Sequence, residues 1–215
     1  MKILISALAV MIPMFGQDRS TPIDNEQVKV LKVTQAPHLK TTLHKHDVNR
    51  VMIYLNQGKQ TIAYEGAKTV TLDWKPGQAL WSPAGGMHIA EITSNGAVTI
   101  VEIELKKPGG GNSANASPLD PVKIDKKHYK VEFENEQVRV VRAKFGAKEI
   151  APMHEHLLNR VVTYITDQDM NVTSADGKVE HVQHKAGDVS WGMPNKHKEE
   201  NLSSKPIEVL VVELK

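Results

Sequence analysis

The chain has 215 residues, enough for one large domain or two small ones and too few for a multi-domain machine. Lysine and arginine number 27 against 25 acidic residues, a formal charge of +2, and without a basic run there is no field to attract nucleic acid. Cysteine is absent, which excludes disulfides, thiolate zinc sites, iron–sulfur clusters and a cysteine nucleophile, so any metal has to sit on His, Asp, Glu, Asn or Gln.

In chain order, Lys2 precedes an uncharged stretch from Ile3 to Gln17 that is mostly apolar up to Phe15. The pattern predicts a signal peptide over residues 1–19 and export to the periplasm or the exterior. The alternative is an apolar first strand or tail docked on the core of a cytoplasmic protein. At 15 residues the stretch falls short of the ~20 that cross a bilayer, so no membrane span is expected. A first unit over residues 20–106 then reads as short strands: Val28 to Val33 alternates, Val51 to Leu55 is branched and aromatic, Thr69 to Trp74 alternates before a Pro76-Gly77 turn, and Ala97 to Leu105 closes it. Residues 107–125 open with a Gly-, Ser- and Pro-rich run from Lys107 to Pro118, with too few apolar groups to pack, and are expected to be a linker. A second unit over 126–215 repeats the pattern with Val138 to Val141, Val161 to Ile165, Lys178 to His184 before Gly187, and Ile207 to Leu214. No segment carries a convincing 3.6-residue apolar period, so the fold class is all-β, with evenly spaced strands that suggest a sandwich or small barrel.

The two units are copies. Asn25-Glu26-Gln27-Val28-Lys29-Val30 returns as Asn135-Glu136-Gln137-Val138-Arg139-Val140, an offset of 110 that also carries His44, His46, Asn49-Arg50-Val51, Tyr54, Gly77 and Trp81 to their counterparts. After Trp81 the offset becomes 109, linking His88 to His197, Glu91 to Glu200 and Glu104-Leu105-Lys106 to Glu213-Leu214-Lys215.

The duplicated histidines are the strongest chemical signal. In a strand, His44 and His46 leave the same face about 7 Å apart, as do His154 and His156. A third imidazole follows a turn in each unit, His88 after Pro83-Ala84-Gly85-Gly86 and His197 after Met193-Pro194. Three neutral imidazoles suit Fe, Mn, Ni, Cu or Zn.

Gly77-x5-Pro83-x-Gly85-x2-His88, together with His44-x-His46 and its matching strand, resembles the two signatures of the cupin superfamily. Both halves carry the likeness, over about 165 residues, so the chain resembles a bicupin. The resemblance implies two tandem antiparallel jelly-roll barrels, each holding a divalent transition metal. Carried across, it implies His44, His46 and His88 as ligands in the first barrel and His154, His156 and His197 in the second. Where that family commonly has a glutamate ligand, four residues after the second histidine, this chain has Arg50 and Arg160.

By strand parity both arginines face the interior. A guanidinium cannot ligate a cation, and with a divalent ion it brings the site to about +3, which calls for a compensating anion. Two outcomes follow: the metal stays and the arginine binds an anionic ligand, or the histidines have become a polar lining. Alternatively Arg50 and Arg160 pair with Glu102, Glu104 or Glu213. Tyr54 and Tyr164 are candidates for the pocket mouth, beside Trp81 and Trp191 as packing groups. Parity turns Glu91, Glu200, Asn49 and Asn159 outward. His38, His128, His181 and His184 lack a counterpart in the other unit and are expected at the surface. Val51, Ile53 and Leu55 form an opposite apolar face, able to join the two units or to drive homodimerisation.

The function expected is a metal-binding bicupin, either a three-His dioxygenase-like enzyme acting on a small anionic substrate or a non-catalytic small-ligand-binding or structural cupin. The loop before His88 favours the first unit. The Met153-His154-Glu155-His156 context and Asn201, four residues beyond His197, favour the second.

Overall fold

The computed structural model describes residues 16–111 and 113–215. Residues 1–15, which hold most of the expected signal peptide, lie outside them. The first unit contains β1 (Gln17–Asp24), β2 (Val28–Gln35), β3 (His44–His46), β4 (Arg50–Tyr54), β5 (Gly58–Tyr64), β6 (Thr69–Trp74), β7 (Gln78–Ser82), β8 (Gly85–Ile92) and β9 (Val98–Leu105). A short helix α1 (Pro121–Ile124) precedes β10 (Tyr129–Glu134), β11 (Val138–Phe145), β12 (His154–His156), β13 (Arg160–Tyr164), β14 (Gln168–Ser174), β15 (Val179–His184), β16 (Val189–Gly192), β17 (Asn195–Asn201) and β18 (Ile207–Leu214). Each unit is a barrel of two antiparallel sheets. In barrel 1 they run β1-β2-β9-β4-β7 and β3-β8-β5-β6, and barrel 2 repeats this as β10-β11-β18-β13-β16 and β12-β17-β14-β15.

The strand patterns follow from what each sheet face touches. The five-stranded sheets are covered on both faces, so β4 is apolar on both sides after Arg50: Val51, Met52, Ile53 and Tyr54 are all buried. Val51 and Ile53 face a cluster shared between barrels, with Val28, Val30, Ile103, Val140, Val161 and Val212. Met52 and Tyr54 point the other way, into barrel 1 with Trp74 and Ile100. Each such side chain contributes about 1.5–3 kcal/mol when fully buried. The apolar face predicted from Val51, Ile53 and Leu55 is therefore used within the chain. By contrast, β6 and β15 lie in the four-stranded sheets and are mostly exposed.

The two barrels meet with approximate two-fold symmetry, as an isologous pair would. Asn49 Nδ2 donates to Gln137 Oε1, and Asn159 Nδ2 donates to Gln27 Oε1 at 2.8 Å. Asn49 and Asn159 thus turn outward, onto the neighbouring barrel. Gly77 and Gly187 hold φ of +73° and +84° in matching turns, and a Cβ on them would press against Ile165 and Leu55 respectively. Glycine is required there by conformation and by proximity.

Two boundaries shift from the sequence expectation. β1 begins at Gln17 and pairs Gln17, Asp18 and Arg19 with Gln35, Thr34 and Val33, so barrel 1 starts inside the segment assigned to the leader. The expected linker also packs more than its composition suggests. Ala114, Ser117 and Asp120 are buried, α1 is capped by the Asp120 side chain, and Gly110 N donates to Lys215 O. Small side chains near a folded wall need little apolar area to dock, whereas a composition count weighs only what the segment could bury by itself. Among the described residues no helix is long and apolar enough to cross a membrane.

Candidate metal centres

In barrel 2 the strand β12 lies antiparallel to β17 with His154 opposite His197. Alternation sends His197, Glu199 and Asn201 inward while Lys196 and Lys198 stay exposed. One ligand atom from each of His154, His156 and His197 lies within 4.8 Å of the others, and all three rings are buried. His154 Nδ1 lies 3.0 Å from Pro152 O and donates to it, which leaves Nε2 as the lone-pair nitrogen, with the Tyr129 hydroxyl 3.3 Å from it. His156 Nδ1 lies 2.8 Å from Glu213 Oε1. Glu213 also accepts from Arg139 Nε at 2.6 Å, and Arg139 Nη2 donates to Asp120 Oδ2 at 2.6 Å. A buried chain therefore runs from the linker to a ring of the triad. His197 Nδ1 is buried without a partner among the described residues.

Glu199 brings a carboxylate to this triad. Its Oε1 is 3.6 Å from His197 Nε2 and its Oε2 is 3.9 Å from His154 Nε2, while the Tyr129 hydroxyl donates to Oε2 at 2.7 Å. Burial raises the Glu199 pKa, but His197, His154 and Tyr129 outweigh it and hold the carboxyl well below its usual range. Burial pushes His154 down to about 4, against the opposing pull of Glu199. Burial lowers His156 as well, so His154 and His156 favour the neutral form that a cation needs, beside a carboxylate. A cavity of about 210 Å³ adjoins it, lined by His156, His197, Glu199, Arg160, Tyr164 and apolar side chains that include Phe145 and Met170.

Barrel 1 repeats the triad in a different setting. His44 lies opposite His88, and the ligand atoms of His44, His46 and His88 also lie within 4.8 Å of one another. His44 Nδ1 is 2.8 Å from Thr42 O and His88 Nδ1 is 3.0 Å from Gly86 O, which leaves their Nε2 lone pairs free. His46 differs. Arg50 Nη1 lies 2.9 Å from His46 Nε2, and because a guanidinium only donates, that lone pair is engaged. Burial, followed by the charge of Arg50, pushes His46 down to about 3. Arg50 also donates to Ser82 Oγ at 2.9 Å and pairs with Glu102 at 3.3 Å. The adjoining cavity is larger, about 510 Å³, and is lined by Arg19, Arg50, Tyr54, Tyr64 and Glu102 as well as the triad.

No family model matches the chain, and no curated protein matches it. Solved structures do. AerE from Microcystis aeruginosa aligns over 96% of this chain and 95% of its own, with a TM-score of 0.70 at 11% identity. A cupin 2 conserved barrel domain protein from Leptotrichia buccalis aligns over 93% and 89%, with a TM-score of 0.57 at 18% identity. Oxalate decarboxylase from Bacillus subtilis, a protein with Mn(II) centres, aligns over 92% and 72%, with a TM-score of 0.62 at 16% identity. The fold is the cupin fold, present twice.

Both cupin barrels bring together the three histidines that the repeats singled out, and both turn Arg50 and Arg160 inward. Strand parity reached the correct side for a reason that does not hold, because β3 and β4 belong to different sheets and the chain crosses between them at residues 47–49. Arg50 does pair with Glu102. Arg160 instead donates to Met193 O at 2.6 Å and Asn195 Oδ1 at 2.7 Å and has no ion pair among the described residues. Burial lowers its pKa, and Glu199 and Glu213 pull the other way. Tyr54 and Tyr164 line their cavities. Tyr54 stacks on Trp74 at 4.3 Å, and Tyr164 stacks on His184 at 3.9 Å, so both are wall groups. Asn201 is tied to Gly146 O and Lys205 O, each at 2.8 Å, and serves the loops.

Two surface expectations are corrected. His128 is buried between Asp125 at 2.6 Å and Glu149 at 3.0 Å, where two carboxylates compensate its removal from water. His184 is half-buried in the cavity wall, whereas His38 and His181 are exposed. The carboxylate beside the triad that the sequence analysis missed is Glu199. Its spacing, two residues after His197 and so on the same strand face, is the signal that identifies it.

Proposed function

We propose that this protein is a metal-dependent cupin whose second barrel holds a divalent transition metal on His154, His156, His197 and Glu199 and binds a small anionic substrate beside it. The observation that carries this reading is Glu199, which supplies a carboxylate to the triad although Arg160 occupies the position where related barrels commonly have glutamate. Three imidazoles and one carboxylate suit Mn or Fe ahead of Ni, Cu or Zn in the expected set. The Mn(II) of the structurally similar oxalate decarboxylase points the same way. When bound, such an ion supplies a Lewis acid for a chelating ligand and, if redox-active, a route for electrons to dioxygen.

The chain's own residues supply the rest. Arg160, held by Met193 O and Asn195 Oδ1, is a buried cation without a carboxylate partner, and a substrate carboxylate completes it. Phe145, Met170 and Val211 form apolar walls that exclude water and strengthen every charge interaction inside. Tyr129 fixes Glu199 through its hydroxyl. No free carboxylate base remains once Glu199 ligates, which favours dioxygenase-like or decarboxylating chemistry on a small chelating acid over proton abstraction.

The test is elemental analysis of the purified full chain after loading with Mn²⁺ or Fe²⁺. One metal per chain, lost in His197→Ala and kept in His46→Ala, is the expected result. A chain that takes up neither ion ends the metal reading. Dioxygen uptake or carbon dioxide release with small carboxylates scores turnover, and a loaded chain that shows neither is the non-catalytic binding cupin.

A further inference from the structure

The two barrels differ at a pair of equivalent positions inside their cavities. Arg19 lies opposite Val33 in the β1–β2 pairing just as Tyr129 lies opposite Ala143 in β10–β11. Ala90 follows His88 by two residues as Glu199 follows His197. The positions of the touching Tyr129–Glu199 pair of barrel 2 are therefore taken in barrel 1 by Arg19 and Ala90. Both Arg19 and Ala90 line the 510 Å³ cavity. The exchange removes a carboxylate, leaves a methyl group in its place, and puts a cation on the wall of the same cavity.

The remaining groups in barrel 1 act in the same direction. Arg19 and Arg50 face a single carboxylate, Glu102, and the His46 lone pair is engaged by Arg50. Arg50 Nε is buried without a partner among the described residues, an unused donor on a side chain that lines the cavity. A divalent cation would enter against two guanidiniums with one imidazole unavailable, so the residues here fit a metal poorly. An anion meets a net favourable charge, two guanidiniums against one carboxylate. Met52, Ile62, Leu72, Leu80 and Ile100 line the cavity as well, an apolar wall suited to a hydrocarbon body.

We propose that barrel 1 is a metal-free receptor for a carboxylate with an apolar body, whose carboxylate occupies the space open at Ala90 and binds Arg19. The ligand supplies from outside the group that Glu199 supplies covalently in barrel 2, and its tail packs on the apolar wall. Arg50 adds a second positive charge. The assignment is independent of the metal centre in barrel 2, because it concerns a different cavity and its test removes metal.

The test is calorimetric titration of the EDTA-treated full chain with hexanoate and benzoate, each set against its neutral counterpart, hexanol and benzyl alcohol. The expected result is binding of the carboxylates with no measurable binding of the alcohols. Arg19→Tyr, which installs the barrel 2 residue at an exposed position, should weaken carboxylate binding tenfold or more and leave the metal content of barrel 2 unchanged. Ala90→Glu, which places an internal carboxylate beside Arg19, should abolish it. Three results overturn the proposal: neither carboxylate binds, acid and alcohol bind alike, or both variants keep wild-type affinity. A metal titration that reveals a second ion per chain, lost in His46→Ala, overturns it equally. If Ala90→Glu does not fold, Arg19→Tyr alone decides.

Discussion

Barrels 1 and 2 share strand order and histidine triad, yet the charges lining their cavities balance in opposite directions. In barrel 1 two guanidiniums, Arg19 and Arg50, face one carboxylate, Glu102. In barrel 2 one guanidinium, Arg160, lines the cavity with two carboxylates, Glu199 and Glu208. The same three imidazoles thus sit in a field that favours an anion in one copy and a cation in the other. A triad alone does not decide what a barrel binds. The residues one and two positions further out along the strands decide it, through the charge they add and the lone pairs they leave free.

The largest effect expected from breaking this difference is at Arg139. Arg139→Ala leaves Asp120 and Glu213 buried without their guanidinium, and removing one partner of a buried ion pair costs about 3–5 kcal/mol. Its counterpart Lys29, opposite Glu104 in the same register, is only half-buried, so Lys29→Ala should cost a small fraction of that. Denaturant unfolding of the two variants measures the gap, and equal losses would remove the buried chain as a distinguishing feature of barrel 2.

Next in size is Glu199. Supporting groups around a metal are typically worth 10–100-fold in affinity, so loss of a direct ligand in Glu199→Ala should weaken metal binding by about 100-fold. The reverse graft, Arg19→Tyr with Ala90→Glu, gives barrel 1 the barrel 2 pair and should raise the metal content from one ion per chain toward two. A graft that stays at one while Glu199→Ala keeps full affinity would show that these positions do not control the choice of ligand.

The smallest effect lies at the acid end of the pH range. Glu149 is held down to about 2, first by Lys127 and then by the Gly146 amide and His128. Its folded pKa lies below the ordinary 4.5, so its contribution is present above about pH 4.5 and fades as pH falls through about 2. Leu39 and Asp18 stand at the corresponding positions of barrel 1, which has no such clip. Glu149→Gln should raise the pH of acid unfolding and lower amide-exchange protection in barrel 2 toward that of barrel 1. An unchanged acid midpoint would show the clip to be ornamental.

What the two repeats have in common was legible in the sequence. The offset of 110 exposed the duplication, located six histidines and marked Arg50 and Arg160, because selection for one fold left both copies with the same inward positions. What differs between the repeats was not legible by that route. Glu199 aligns with Ala90 and His128 with Asp18 across the repeat, so a comparison that keeps only matched residues passes over both. Asp120 was missed for a different reason. It lies in a segment whose composition reads as solvated chain, and only the folded wall beside it makes burial favourable. Glu199 was within reach of strand parity applied to His197, since residues two apart share a face.

The reciprocal contacts of Asn49 with Gln137 and Asn159 with Gln27 have a consequence for how the molecule holds together. Two separate barrels making this junction would come apart on dilution, since their association would be second order. Tethering by the segment between residues 106 and 129 turns that encounter into a first-order step at an effective concentration in the millimolar range. Each half therefore keeps its neighbour however scarce the protein becomes, and one copy was free to change its chemistry while its twin continued to shield the shared face.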